Sequence, residues 1–189
     1  MTLEQDIANA IEVLKKGGVI LYPTDTIWGL GCDATRSDAV RRIYEIKRRA
    51  DSKALIVLTD SVKQLERYVE EVPEVAYELI YAAVKPLTIV YDKGINLAPE
   101  LLAEDGSVAV RITSEQVSSG LCRALRRPLV STSANISGQP AAPSYIDIPD
   151  EIKSAVDYIM ESRRSERIEA SPSSVIKLGC NGVIKILRP

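Results

Sequence analysis

The chain begins with an apolar stripe at helical spacing. Leu3, Ile7, Ile11 and Leu14 recur every three or four residues, Thr2-x-x-Gln5 has the form of a capping box, and Gly17-Gly18 ends the pattern. Residues 19–22 then read as a buried strand, followed by a loop over 23–35 rich in Thr, Gly and Asp. Ser37 is positioned to cap a second helix running through Lys47, with Val40, Ile43, Tyr44 and Ile46 as its apolar positions. A strand is expected over 54–58, a helix opened by Ser61-x-x-Gln64, and a further helix with Pro73 in its first turn. Residues 87–91 and 108–112 read as strands, 114–123 as a helix, and 129–131 as a short strand entering a polar loop. The last third predicts a helix near 151–155 and strands at 158–160, 174–178 and 183–187.

Helices and strands mix without an internal repeat or a low-complexity tract, which indicates an α/β domain. Strict strand-helix alternation breaks down in the second half, so the expected sheet is mixed and twisted rather than doubly wound and parallel. The stretch 137–149 carries Pro140, Pro143 and Pro149 and is read as a surface loop inside the domain, not a boundary.

Composition narrows the chemistry. The 189 residues are 46% hydrophobic, enough for a true core. Lys plus Arg number 24 against 26 Asp plus Glu, a net charge of -2, which argues against attachment to nucleic acid by global charge. Histidine is absent, so Ser-His-Asp and Cys-His nucleophiles, His-ligated metals and histidine bases are all excluded. Cys32, Cys122 and Cys180 are far apart and form neither a disulfide framework nor a zinc pattern; free buried thiols are expected. The acidic start has no apolar signal core and the apolar runs are strand-sized, so a soluble, cytoplasmic, membrane-free protein is expected.

Three segments could carry chemistry. The first, 22–31, places Thr24 and Thr26 hydroxyls and the close-approach glycines Gly29 and Gly31 beyond a strand end, where open α/β sheets hold ligands. It matches neither a dinucleotide fingerprint nor a P-loop and could equally be a structural turn, with Trp28 as a packed anchor. The second is Lys47-Arg48-Arg49-x-x-x-Lys53, where Arg can grip a phosphate bidentately and Lys can act as a point charge; a solvated basic helix end is the competing reading. The third is Ser131-Thr132-Ser133-Ala134-Asn135-Ile136-Ser137-Gly138, either a locally bonded turn or a site for a ligand such as an amino acid or nucleotide.

With Pro86-Leu87-Thr88, Val110-Arg111-Ile112, Ser173-Ser174-Val175-Ile176 and Leu187-Arg188-Pro189, these segments resemble, in order and over nearly the whole chain, the YrdC-like family. Its members make threonylcarbamoyl-adenylate for the threonylcarbamoyladenosine modification of tRNA. The resemblance implies a single YrdC-like domain over 1–189, with a twisted mixed β-sheet flanked by helices and a concave cationic pocket. It also implies an L-threonylcarbamoyladenylate synthase using L-threonine, bicarbonate and ATP, with Mg2+ arriving on the ATP and no metal held by the protein. Lys47 and Arg49 would be catalytic, binding the phosphates and the bicarbonate-derived carboxylate. Arg49, Lys53, Ser133, Asn135 and Arg188 would bind ATP, and Thr26, Arg111, Ser131 and Ser174 would lie on the threonine side. The implied partners are the tRNA-threonylcarbamoyl transferase machinery and, through direct contact, tRNA or double-stranded RNA.

This chain departs from the family pattern at Ala50, Ala54, Trp28 and Ala83-Val84-Lys85, and Lys177 stands where aspartate is usual. Two alternatives remain open at this point. One is a paralogue of the fold that makes the adenylate inefficiently. The other is an RNA-binding module using basic patches at 41–53 and 123–127.

Overall fold

A computed structural model of the protein describes residues 1–48, 55–166 and 172–189. Helix α1 (Leu3–Lys15) starts on the full capping box, with the Thr2 hydroxyl accepting from Gln5 N–H and the Gln5 side chain accepting from Thr2 N–H. Gly17, at φ 85°, turns the chain out of the helix into β1 (Ile20–Tyr22). The stretch read as a continuous loop instead contains a three-residue strand, β2 (Gly29–Gly31), which pairs antiparallel with β1. Gly-Leu-Gly has too little apolar period to declare itself, and its glycines serve a packing purpose. A Cβ on Gly31 would lie 2.7 Å from the Tyr22 ring and 3.1 Å from Val130 O, so only glycine lets β2 approach this closely.

Helix α2 (Ser37–Lys47) has the expected extent, but its cap residue is Arg36, which makes no side-chain capping bond, and Ser37 is already helical. Strand β3 (Ile56–Thr59) leads to the one-turn helix α3 (Val62–Leu65), where the Ser61 hydroxyl accepts from Gln64 N–H as the sequence indicates. Helix α4 (Glu74–Ala82) begins after Pro73, and β4 (Leu87–Tyr91) and β5 (Val108–Ile112) match their predicted ranges. Helix α5 (Gln116–Leu125) starts two residues later than expected, its Glu115 carboxylate capping it by accepting from Val117 and Ser118 N–H. Strand β6 (Leu129–Ser133), α6 (Asp150–Ala155), β7 (Tyr158–Ile159), β8 (Ser174–Leu178) and β9 (Ile184–Arg188) complete the described elements, apart from a short 3-10 turn at Pro99–Leu101.

The described strands form one nine-stranded mixed sheet in the order β7-β1-β2-β6-β3-β5-β4-β8-β9. β1/β7, β3/β5 and β4/β8 are parallel; the remaining neighbours are antiparallel. Alternate side chains feed two apolar layers. Val19, Leu21, Val57, Val110 and Val130 pack with Val40 and Ile43 of α2 and Ile152 of α6. Ile20, Tyr22, Leu58 and Leu129 pack with Ala10, Ile11 and Leu14 of α1 and Val117, Leu121 and Cys122 of α5. The loop 137–149 belongs to this body: Ile148 is buried, and the Tyr145 ring lies 5.2 Å from that of buried Trp28.

Cys32 and Cys122 are buried, as read from the sequence, and burial pushes the Cys122 thiol up to about 12 and the Cys32 thiol well above its ordinary value. Cys180 corrects that expectation: it sits on the exposed turn between β8 and β9, where no apolar layer covers it. Among the described residues no helix is long and apolar enough to cross a membrane.

Candidate active site

The register explains where a cavity can form. Leu58 lies beside Leu129 on one side and Arg111 on the other, so Arg111 extends the α1/α5 face of the sheet. Ser131 faces the same way beside Ile56, and Thr88, adjacent to the Ile89–Val110 pair, does too. Apolar side chains hold α1 and α5 over one half of this face. Beyond them the row turns polar, and a cavity of about 330 Å³ opens. Its lining includes Thr24, Thr26, Ile27, Gly29, Ile56, Arg111, Ser131, Thr132, Ser133, Ser173 and Arg188, none of them acidic.

The Thr24–Thr26 loop is wound around one hydroxyl. Thr24 Oγ1 accepts from the N–H groups of Thr26 (3.0 Å) and Ile27 (3.2 Å) and donates to Ile27 O at 2.7 Å. Thr24 Oγ1 also lies 3.0 Å from Thr26 Oγ1, and Thr26 lines the cavity.

Arg111 is the cationic floor. It is only 4% exposed, and its Nη2 lies 3.1 Å from Asp25 Oδ1 without hydrogen-bond alignment. Its Nε has no partner, and neither has that carboxylate oxygen. A buried guanidinium left partly unsatisfied beside an empty polar space suits an anionic ligand group. Arg188 enters from the sheet edge, its Nε donating to Ser173 O at 2.8 Å and its Nη2 reaching Ser173 Oγ at 3.3 Å. Ser173 Oγ in turn lies 2.8 Å from Thr88 Oγ1.

Of the residues proposed from sequence, Thr26, Arg111, Ser131, Ser133 and Arg188 meet at this cavity. Ser174 is not among its lining residues; Ser173 takes that place, because neighbouring residues entering a strand point to opposite faces. Lys47, 1% exposed, lies beneath the cavity and not in its wall. Its Nζ donates to Ser133 O, to Asn135 O (2.7 Å) and to Asn135 Oδ1 (3.3 Å). Asn135 closes its own loop by donating to Ile136 O and Gln139 O (2.6 Å). Lys47 and Asn135 thus brace the 133–139 loop whose first serine reaches the cavity. Arg49 and Lys53 lie outside the described residues, between Arg48 and the lining residue Leu55. Sequence reasoning named the Thr24 hydroxyl but not its part in organising the loop, and it did not identify Asp25 as the neighbour of Arg111. An Asx/Thr-rich turn after a strand was the available signal, but two-residue hydroxyl pairing leaves no periodic trace.

Lys177 does not reach the cavity wall. It pairs with Asp105 at 2.9 Å, and the bonds to Ser107 and Lys177 hold the Asp105 carboxyl well below its usual range. Several described arginines of the basic segments face carboxylates: Arg41 faces Glu100, Arg42 Asp157, Arg48 Glu151, Arg123 Asp60 and Arg127 Asp33.

Comparison with known proteins bears on the fold and the family. The threonylcarbamoyl-AMP synthase of Vibrio cholerae serotype O1 (strain Classical Ogawa 395) is 34% identical over 170 residues, covering 88% of this chain and 90% of that protein. The crystal structure of P. abyssi Sua5 complexed with L-threonine superposes with a TM-score of 0.83 at 31% identity over 93% of this chain. This chain spans about half of that Sua5 chain (51%). The E. coli YciO structure gives a TM-score of 0.84 at 27% identity, covering 98% of this chain and 89% of YciO. The Sua5/YciO/YrdC family model, described as telomere recombination, matches residues 12–189, and the chain belongs to that family.

Proposed function

We propose that this protein is an L-threonylcarbamoyladenylate synthase acting in the cytoplasm. The carrying observation is the cavity itself: the partly unsatisfied Arg111 and the edge residue Arg188 flank a ring of hydroxyls from Thr26, Ser131 and Ser133. Such a lining suits a small zwitterion beside a polyphosphate. A relative named threonylcarbamoyl-AMP synthase over most of this chain, and a Sua5 structure complexed with L-threonine, support the same substrates.

In this reading threonine's amine adds to bicarbonate with loss of water, giving a carbamate. The carbamate oxygen attacks the α-phosphorus of ATP, a new O–P bond forms, and pyrophosphate leaves with the broken bond's electrons. The attacker is already anionic, so a histidine base is unnecessary. The demand is instead to hold two anions together and stabilise phosphate charge. Arg111 and the Thr26 and Ser131 hydroxyls would hold threonine; Ser133 and Arg188 would contact ATP. Lys47 would set the 133–135 backbone, and Arg49 and Lys53 keep the phosphate roles that the sequence resemblance implies. Mg2+ would travel with the ATP phosphates, since among the described residues no acidic side chain lines the cavity. The product would pass to the tRNA-threonylcarbamoyl transferase machinery.

The RNA-module alternative is weakened by the carboxylates facing Arg41, Arg42 and Arg48 in one basic patch and Arg123 and Arg127 in the other. Labelled bicarbonate tests the proposal: label should enter an adenylated product only when both L-threonine and ATP are present. Incorporation without threonine would refute it.

A further inference from the structure

Arg163 stands outside the cavity, yet it reaches the loop that forms the cavity's threonine side. It lies on the turn after β7 with φ 61°, a left-handed conformation that glycine would adopt more cheaply. Strain kept at a non-glycine residue calls for a compensating contact, and the guanidinium supplies three. Nη1 donates to Thr24 O at 3.1 Å and to Glu115 Oε1 at 3.2 Å, and Nε donates to Glu166 Oε2 at 2.6 Å. Glu115 is the cap of α5, so one guanidinium joins the Thr24 loop to the start of a core helix.

The turn that carries Arg163 is anchored from the other side. Asp6 of α1, 1% exposed, accepts from Glu161 N–H (3.1 Å), Ser162 N–H (2.7 Å), the Ser162 hydroxyl and the Tyr158 hydroxyl (2.7 Å). A charged acceptor with four donors fixes the residues before Arg163 and so fixes the origin of its side chain. Thr24 O is therefore held from outside while Thr24 Oγ1 organises Thr26 within.

We propose that Arg163 is a positioning residue that latches the Thr24–Thr26 loop in its threonine-binding form. This rests on the reading that the cavity takes L-threonine. The latch acts through Thr24 O and does not touch substrate, so its loss loosens threonine binding and leaves ATP binding and the chemical step alone.

The test is steady-state pyrophosphate release from the whole chain with Arg163→Gly, Arg163→Ala and Arg163→Lys. Arg163→Gly removes the guanidinium while relieving the left-handed strain, so it keeps the fold even where Arg163→Ala does not. The expected result is a rise of about tenfold in KM for L-threonine in Arg163→Gly, with kcat and KM for ATP within about twofold and partial recovery in Arg163→Lys. A folded Arg163→Gly with wild-type KM for threonine overturns the inference, and so does an equal disturbance of kcat and of both KM values. If the wild type itself shows no response to threonine, the functional reading falls. If the wild type responds and the glycine variant matches it, only the latch falls.

Discussion

Arg111 shows how much of the site a single residue can decide. A guanidinium this buried is costly to leave without an anion, and Asp25 meets it only in part. Arg111→Met should lower kcat/KM for threonine by about 100-fold, the scale of one buried charge-assisted pair, read by steady-state kinetics. Asp6 carries a separate prediction about stability. Burial raises its pKa, but the bonds from Ser162, Tyr158 and the Glu161 and Ser162 N–H groups outweigh this, leaving it below its ordinary value of 3.8. A depressed carboxylate stabilises the fold above its unfolded pKa and loses that contribution as pH falls through the folded one. The stability gap between wild type and Asp6→Asn, measured by denaturant unfolding, should therefore be full at neutral pH and shrink below about 3.8. Part of the cavity lining was legible in the sequence: the hydroxyl-rich segments 22–31 and 131–138 contain Thr26, Ser131 and Ser133, while Arg111 and Arg188 entered only through the family resemblance. Ser173 was missed for Ser174 because strand facing depends on register, and register comes from the neighbouring strands.

At the scale of elements, strands and helices with a clear period were readable almost to the residue, as in β4, β5 and β8. What escaped was β2, whose pairing is defined by Tyr22 and Val130 rather than by its own side chains. Gly31→Ala should cost about 1–3 kcal/mol by forcing a methyl into the Tyr22 ring and the Val130 carbonyl. Trp28 provides the readout, since it is the chain's one tryptophan and is buried against Tyr145. Its emission should follow the unfolding transition, with a lower midpoint in the alanine variant and none of the shift in an exposed-site control such as Glu12→Ala. The Lys47 brace has the same character. The Lys47 ammonium at the end of α2 donates to the carbonyls of Ser133 and Asn135, a long-range contact invisible to local pattern.

At the scale of the whole molecule, the fold class followed from the mixture of predicted helices and strands and from the failure of strict alternation, and the mixed nine-stranded sheet of the described strands agrees with it. The strand order did not follow, because β2 and β6 lie between β1 and β3 through long-range pairings such as Gly29 with Ser133 and Ile56 with Ser131. This order brings the Thr24 loop, the 131–135 segment, Arg111 and the C-terminal Arg188 to one cavity, so the site depends on nearly the entire chain. The absence of histidine removes the commonest general base, and the proposed reaction, whose attacker is already an anion, asks chiefly for charge positioning. The central claim is tested most directly by pyrophosphate release from ATP and bicarbonate, with and without L-threonine, in the wild type and in Arg49→Ala. The account predicts release that requires L-threonine and is abolished by the substitution. Release indifferent to threonine would contradict it.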